Sequence, residues 1–215
     1  AILVLAIALG EGRRSWRTVV ALALVFGLSQ THHRTAALLA PAVAVYLIVA
    51  WRVRAGGSAE IQLPAWPRGW PLIVLLALVL PLLLYLYIPW RGATISSLDG
   101  IYTNTLSIFL SWVSGSMYST FLSDNPLRQQ ALTAVGYARL LQEQVGNVGL
   151  ALAAVGCAWL AWRKRPLLAL LGIAWLTVVV FVRLYRVADA PVFLIPSFMM
   201  VALLIGAGVH AIAGS

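Results

Sequence analysis

The chain has 215 residues, of which 62% are hydrophobic and 10% charged, and it carries a formal net charge of +9. Its mean hydropathy is +0.93. A soluble domain carries about 25% charged residues, so the relevant count is of membrane spans, each needing roughly 20 mostly apolar residues to cross about 30 Å of hydrocarbon. The single Cys157 excludes an internal disulfide and any multi-cysteine metal site. No zinc-finger spacing or base-reading motif ties the positive charge to nucleic acid.

Residues 1–10, AILVLAIALG, read as the last half of a span. A start without Met or a charged signal region reads as a fragment of a longer chain. Six apolar runs follow, at 17–29 (short), 35–51, 71–90 (without charge), 148–162, 166–182 and 192–213. The predicted fold is all-α, a polytopic transmembrane helical bundle of about six full spans plus one partial. It forms a single domain over 1–215 with an outer-face insertion at about 91–147.

The charges orient the spans. Loops one, three and five hold Arg13, Arg14, Arg17, Arg52, Arg54, Arg68, Arg163, Lys164 and Arg165, nine cations against the two acids Glu11 and Glu60. Loops two, four and six hold Arg34, Arg91, Arg128, Arg139, Arg183 and Arg186, six cations against the four acids Asp99, Asp124, Glu143 and Asp189. The excess of cations in short cytoplasmic loops puts loops one, three and five inside and two, four and six outside. Membrane lipids are the first expected partners, since anionic headgroups accommodate the remaining positive charge.

Five tryptophans, Trp16, Trp51, Trp70, Trp90 and Trp162, fall at predicted span ends, where an indole buries its ring and keeps its N–H wet. Gly149, Ala153, Cys157 and Ala161 recur every four residues, a small-residue stripe suited to close helix packing. Pro81 should kink its span.

Loop four is too long for a simple connection. LSIFLSWVSGSMYSTFL is apolar but broken by Ser and Gly, and reads as an interfacial or re-entrant segment. Next, Asn125 as N-cap and Pro126 at the first helical position predict a helix start. Leu127, Ala131, Val135, Ala138, Leu141 and Val145 would form its apolar face, making it an amphipathic helix on the outer surface. Packing on a further soluble domain is the alternative.

Three clusters could carry chemistry. In THHR, Thr31 to Arg34, two imidazoles and a guanidinium at a membrane edge are costly to place. They would either bind a phosphate or pyrophosphate headgroup or solvate a tight turn. His32 and His33 point apart on regular backbone and lack a His-rich partner, so no metal is assigned; a divalent ion has no supporting residues, and the sequence requires no cofactor. In RLYRVADAP, Arg183, Tyr185, Arg186 and Asp189 would form an anion or substrate site, or a local ion pair worth about 0–1 kcal/mol if exposed. Tyr85, Tyr87 and Arg91 form a third group at the outer end of the 71–90 span.

Four blocks resemble a bacterial membrane family related to the transmembrane protein O-mannosyltransferases. GLSQTHHRTAALLAPA from Gly27 resembles its Gly-Leu-Ser…Asn-His…Thr…Pro-Ala segment, and YLYIPWRG from Tyr85 resembles Tyr-Leu-Tyr-Leu-Pro-x-Arg-Ala. FLSWVSGSMY from Phe109 resembles Phe-x-x-His-Val-Thr-Gly-x-x-Tyr, and YRVADAPVFLIPSF from Tyr185 resembles Tyr-x-Val-x-Asp-x-x-x-Tyr-x-Leu-Pro-Ser. The blocks occur in the family's order and span most of the chain. His33, Arg91, Tyr118 and Asp189 match family residues, whereas His32, Trp112 and Phe193 depart from the family's Asn, His and Tyr.

The resemblance implies a glycosyltransferase of the GT-C architecture in the bacterial cytoplasmic membrane. It would move a sugar, mannose in the related enzymes, from a polyprenyl-phosphate donor to an acceptor hydroxyl on the non-cytoplasmic face. Donor phosphate binding would fall to His32, His33, Arg34 and Arg91, and substrate binding to Tyr87, Tyr118, Arg183, Tyr185 and Asp189. The family's acidic and His-Pro-Pro-Gly-Tyr-like motifs do not occur here, so the catalytic carboxylate is expected before Ala1. Two other classes stay open: a non-catalytic scaffold subunit bound to other membrane-complex subunits, and a lipid or small-solute transporter. A transporter predicts paired broken helices and a mid-membrane ionisable residue, whereas all 21 Lys, Arg, Asp and Glu residues can be placed at span ends or in loops.

Overall fold

The computed structural model describes residues 1–12, 15–55, 67–95, 102–123 and 130–214. Every regular element among them is helical. Helix α1 spans Ile2–Gly10. Helix α2, Trp16–His32, starts where the Ser15 hydroxyl accepts the Arg17 N–H at 3.2 Å. It stops at His33, whose extended backbone (φ −147°) breaks the helix.

Proline chemistry shapes the next two spans. Pro41 has no N–H to give a preceding carbonyl, and the turn before it, Arg34–Leu39, tightens into a 3₁₀ segment ahead of α3, Ala40–Ala55. Helix α4, Trp70–Val79, likewise gives way at Pro81 to the 3₁₀ segment Leu80–Leu86, and α5, Tyr87–Gly92, follows. The expected kink is thus a change of helix type. Pro81 is buried beside Gly27 of α2, where a side chain would strike the Leu78 carbonyl and come within 3.1 Å of Pro81 Cγ.

The broken apolar part of loop four forms α6, Leu106–Ser114, which ends at Gly115 in a left-handed turn (φ +72°). A 3₁₀ turn, Ser116–Tyr118, and the short α7, Thr120–Ser123, follow. Helix α8, Ala134–Arg163, runs for 30 residues with a kink at Gly146 (φ +65°). Helices α9, Arg165–Leu184, α10, Ala190–Phe193, and α11, Ile195–Ala213, complete the chain.

Among the described residues, five helical stretches are long and apolar enough to cross a membrane: Arg34–Val53, Trp70–Gly92, Ala134–Arg163, Arg165–Leu184 and Ile195–Ala213. This is the architecture of a helical membrane protein. The expected sixth full span, on α2, has 17 residues. At 1.5 Å per residue it reaches about 26 Å, the short end of what crosses a bilayer core of about 30 Å.

Two expectations need correction. The amphipathic helix does not run on from Leu127. Residues 130–133 carry no helix, and Thr133 caps α8 by accepting the Gly136 N–H at 2.9 Å. Asn125 and Pro126 lie outside the described residues. Where α8 begins, Tyr137 is buried with Leu140 and Leu141 packed beside it, whereas Val135, on the face expected to meet the membrane surface, is 75% exposed. Secondly, the packing stripe of α8 is Gly149, Ala153, Gly156 and Leu160, while Cys157 and Ala161 lie on the exposed face. Cys157 therefore lies outside this packing face.

The core has two parts. Ala6, Ala42 and Ala174, each fully buried, let α1, α3 and α9 approach closely, with Leu160, Leu170, Leu171 and Met200 around them. A second cluster of Tyr137, Val178, Val182 and Leu194 joins α8, α9 and the start of α11. Its polar atoms satisfy one another. Trp175 Nε1 donates to the Tyr137 hydroxyl at 2.7 Å, Tyr137 donates to Ser197 Oγ at 3.4 Å, and Ser197 donates to the Leu194 carbonyl at 2.8 Å.

Helix α9 connects two chemically different ends. It begins next to Lys164, which pairs with Glu11 at 3.4 Å, and ends 20 residues later at Tyr185. That length is about 30 Å. The pairing puts loops one and five at one end. The polar groups of loops two, four and six gather at the other.

Candidate functional site

At that second end lies a cavity of about 800 Å³, within the size range of small-molecule sites. His33 and the following turn enter from the α2–α3 junction, Tyr85 and Ile88 from the proline-tightened span, and Trp112 with Ser114 to Ser119 from loop four. Phe181, Tyr185 and Phe193 close the side made by α9 and α10. The cavity is thus assembled from segments far apart in the chain.

Arg34 is its electrostatic centre. Its Nε donates to the Tyr85 hydroxyl at 3.4 Å, and its Nη2 donates to the Trp112 carbonyl. The guanidinium also lies over the Tyr85 ring, 5.6 Å from the centroid. Tyr85 in turn donates to the Gln30 carbonyl at 2.5 Å. Its hydroxyl joins the end of α2 to the proline-tightened span through one acceptor and one donor bond. Gly115 sits against the other side of the guanidinium, where any Cβ would strike Nη1. Nη1 itself is buried and has no hydrogen-bond partner among the described residues.

The cavity carries no carboxylate among its described lining residues. The ion pair that forms among the described residues is Glu11–Lys164, at the opposite end. Arg34 therefore holds its positive charge in a partly buried place with no carboxylate among the described lining residues. A guanidinium so placed is suited to an anion, because a charge-assisted bond is about twice as strong as a neutral one.

The remaining walls are hydroxyl-rich and aromatic. His33 Nδ1 and Thr35 Oγ1 are 2.6 Å apart. The His33 ring meets Phe193 edge-on at 5.7 Å, Phe193 meets Tyr185 at 5.4 Å, and Tyr185 stacks on Phe181 at 5.1 Å. The backbone N–H of Arg186 donates to the Phe121 carbonyl at 3.2 Å and ties loop six to loop four. Burial, then the neighbouring Tyr118 and Asp189, push the Tyr185 hydroxyl above its usual pKa, so it remains a neutral donor at physiological pH.

Of the nine residues given a donor- or substrate-binding role in the sequence, His32, His33, Arg34, Tyr118 and Tyr185 line the cavity. Four do not. Arg91 is exposed and reaches Thr94 Oγ1 at 3.4 Å, and Tyr87 packs edge-on against Trp90 at 5.7 Å. Arg183 donates to the Leu132 carbonyl at 3.3 Å. Asp189 precedes α10, is exposed, and pairs with neither Arg183 nor Arg186. The expected local ion pair does not form. Asp99 and Asp124 lie outside the described residues.

Sequence reasoning missed the roles of Gln30, Gly115 and the Trp112 carbonyl. The departures from the family pattern are built into the cavity: Trp112 packs edge-on against Tyr102 at 5.3 Å and supplies a carbonyl to Arg34, while Phe193 bridges His33 and Tyr185. No group of three or more potential metal ligands gathers among the described residues. No protein family, curated protein or solved structure matches this chain.

Proposed function

We propose that this chain forms the donor-binding part of a membrane glycosyltransferase of the GT-C architecture, which takes a sugar from a polyprenyl-phosphate donor on the non-cytoplasmic side. One observation carries the reading. The four blocks that resemble the O-mannosyltransferase-related family supply His33 and Arg34, Tyr85, Trp112 with Ser114 to Tyr118, and Tyr185 with Phe193, and all of them line the same cavity.

Its chemistry suits such a donor. Arg34 offers a guanidinium to the phosphodiester, His32 and His33 stand beside it, and the Ser and Tyr hydroxyls suit a sugar. Leu38, Ile88, Leu122 and Phe181 offer apolar surface to the first isoprene units. In the reaction a carboxylate supplied from outside the described lining takes the proton of the acceptor hydroxyl. The hydroxyl oxygen bonds to the sugar's anomeric carbon, the anomeric carbon–phosphate oxygen bond breaks, and polyprenyl phosphate leaves. Arg34 stabilises the charge that develops on that phosphate. Arg91, which the resemblance placed among the phosphate ligands, has no part in this.

The test is transfer of sugar from a polyprenyl-phosphate sugar by the full-length protein in liposomes. Arg34→Gln should lower transfer by about 100-fold or more, the scale for removing a preorganised donor from a transition-state charge. Arg91→Ala should change it by less than about threefold, as an exposed group outside the site would. Unchanged transfer in Arg34→Gln rejects the assignment.

A second reading has one observation in its favour: the described lining has no carboxylate. The chain would then be a lipid-binding scaffold subunit. Tight binding of polyprenyl phosphate without sugar transfer, in a purified complex with other membrane proteins, would support it over the enzyme.

A further inference from the structure

We propose that Tyr85 is a positioning residue that grips Arg34 by its Nε edge so that the Nη edge serves as the anion-binding edge, and that the Trp112 carbonyl occupies this edge as an intramolecular substitute for a ligand oxygen. The inference rests on the reading of the cavity as a lipid-phosphate site and adds how its cation is held and covered.

The geometry divides the guanidinium in two. Nε and the π face belong to Tyr85, at 3.4 Å and 5.6 Å respectively. Because the Tyr85 hydroxyl gives its own proton to Gln30 at 2.5 Å, its lone pairs are turned to accept from Arg34. The two Nη groups face the other way, toward the Trp112–Gly115 turn. Nη2 finds a carbonyl there, and Nη1 finds no acceptor among the described residues.

That imbalance matters because an unpaired N–H of a charged group is costly when buried. A carbonyl is also a poor match for a guanidinium, whose parallel N–H pair fits the two oxygens of a phosphate. A phosphate taking both Nη groups would satisfy the unpaired N–H and replace the single carbonyl bond. Nη1 is covered by Gly115, so the 112–115 turn must move aside for this to happen. Tyr85 sits on a different element from that turn, so its grip persists as the turn moves.

The experiment uses the full-length protein in nanodiscs with undecaprenyl phosphate as the probe. Tyr85→Phe keeps the ring and removes the acceptor, and should weaken binding about tenfold, the scale of one hydrogen bond to a charged group. In an Arg34→Gln background, already weakened further, Tyr85→Phe should have no additional effect, because it acts through Arg34. Equal affinity of Tyr85→Phe and native protein, or additive losses in the double variant, overturns the positioning role. A purely structural role would give additive losses.

Two spectroscopic readouts separate this from the functional reading. The Arg34 Nε–H resonance of ¹⁵N-arginine protein, without ligand, should move in Tyr85→Phe; an unmoved resonance overturns the grip. The Trp112 carbonyl resonance should shift on saturation with undecaprenyl phosphate, and an unshifted one overturns the substitution. Native protein that binds no undecaprenyl phosphate at all overturns both the functional reading and the substitution, while the arginine spectrum still decides the grip.

Discussion

Gly156 of α8 and Gly208 of α11 lie backbone to backbone: a Cβ on Gly156 would stand 2.7 Å from the Gly208 nitrogen, and one on Gly208 would stand 3.1 Å from the Gly156 nitrogen. Each would also strike a main-chain carbonyl, of Leu204 and Leu152 respectively. Between membrane helices there is little hydrophobic force, so close backbone packing of this kind is a main source of association.

Gly156→Ala or Gly208→Ala should therefore destabilise the fold by about 2–3 kcal/mol, at the upper end for overpacking, because backbone rather than a flexible side chain must yield. Cys157→Ala, one residue away on the exposed face, should stay within about 0.5 kcal/mol. Reversible unfolding in mixed micelles measures both. A Cys157 effect as large as that of Gly156 would restore the every-fourth-residue stripe.

The contrast shows what a sequence pattern carries and what it loses. A residue on a helix is turned about 100° from its neighbour, so steps of four drift by about 40° each. Three such steps carry Gly149 round to Ala161 on another face. The native stripe corrects the drift with a step of three, from Ala153 to Gly156. The first half of α8 holds a contact that the apolar pattern does not carry. Its anchor is Tyr137, an aromatic whose hydroxyl needs partners that sit on α9 and α11, and a pattern of purely apolar residues passes over it. The long spans were legible because hydrocarbon imposes length and apolarity. His32, His33 and Arg34 stood out because ionisable groups at a membrane edge are expensive. The Trp112 carbonyl and the space left by Gly115 have no such signature, since every residue has a carbonyl and many glycines pack against nothing.

Tyr137 gives a second prediction. Its hydroxyl is the acceptor for Trp175 Nε1 and the donor to the fully buried Ser197. Tyr137→Phe retains the stacking on Phe198 but strands the indole N–H, at a cost of about 1–3 kcal/mol. Ser197 keeps its own bond to Leu194, so Ser197→Ala should cost less. A chemical-unfolding comparison of the two variants checks the order, and a larger loss in Ser197→Ala contradicts it.

Gly115 should show a loss of function out of proportion to its stability effect. Its φ of +72° is strained for any other residue, at roughly 1–2 kcal/mol, and an added methyl would meet Arg34 Nη1. Gly115→Ala should displace the guanidinium and weaken undecaprenyl phosphate binding at least about tenfold, while the protein still folds. Native-like affinity in a folded Gly115→Ala protein would mean that the guanidinium, held by Tyr85, keeps its place against the added methyl.

The pH dependence has a definite sign. Burial, Tyr118 and Asp189 raise the Tyr185 pKa in the folded chain above its unfolded value. The stabilisation linked to this proton is fully present below the unfolded pKa of about 10 and is lost as pH rises through the folded value, because the unfolded chain releases the proton first. Stability should be insensitive to Tyr185 between pH 6 and 9 and fall above about pH 10, with Tyr185→Phe removing part of that alkaline slope. A difference between the two proteins that grows toward acid pH would contradict the shift.

The two ends of α9 make the orientation testable. Glu11 pairs with Lys164 at one end, and the Arg34 cavity meets Tyr185 at the other, about 30 Å away along 20 residues of helix. From the cation bias of its loops, the Lys164 end is expected in the cytoplasm. In a Cys157→Ala background, Arg139→Cys should react with an impermeant maleimide in intact cells, whereas Arg163→Cys should react only after permeabilisation. The reverse pattern would place the cavity on the cytoplasmic side and remove access to a donor presented outside. Reaction of both from one side would contradict α8 as a span, since Arg139 and Arg163 lie on either side of the Gly146 kink, with the apolar half of the helix between them.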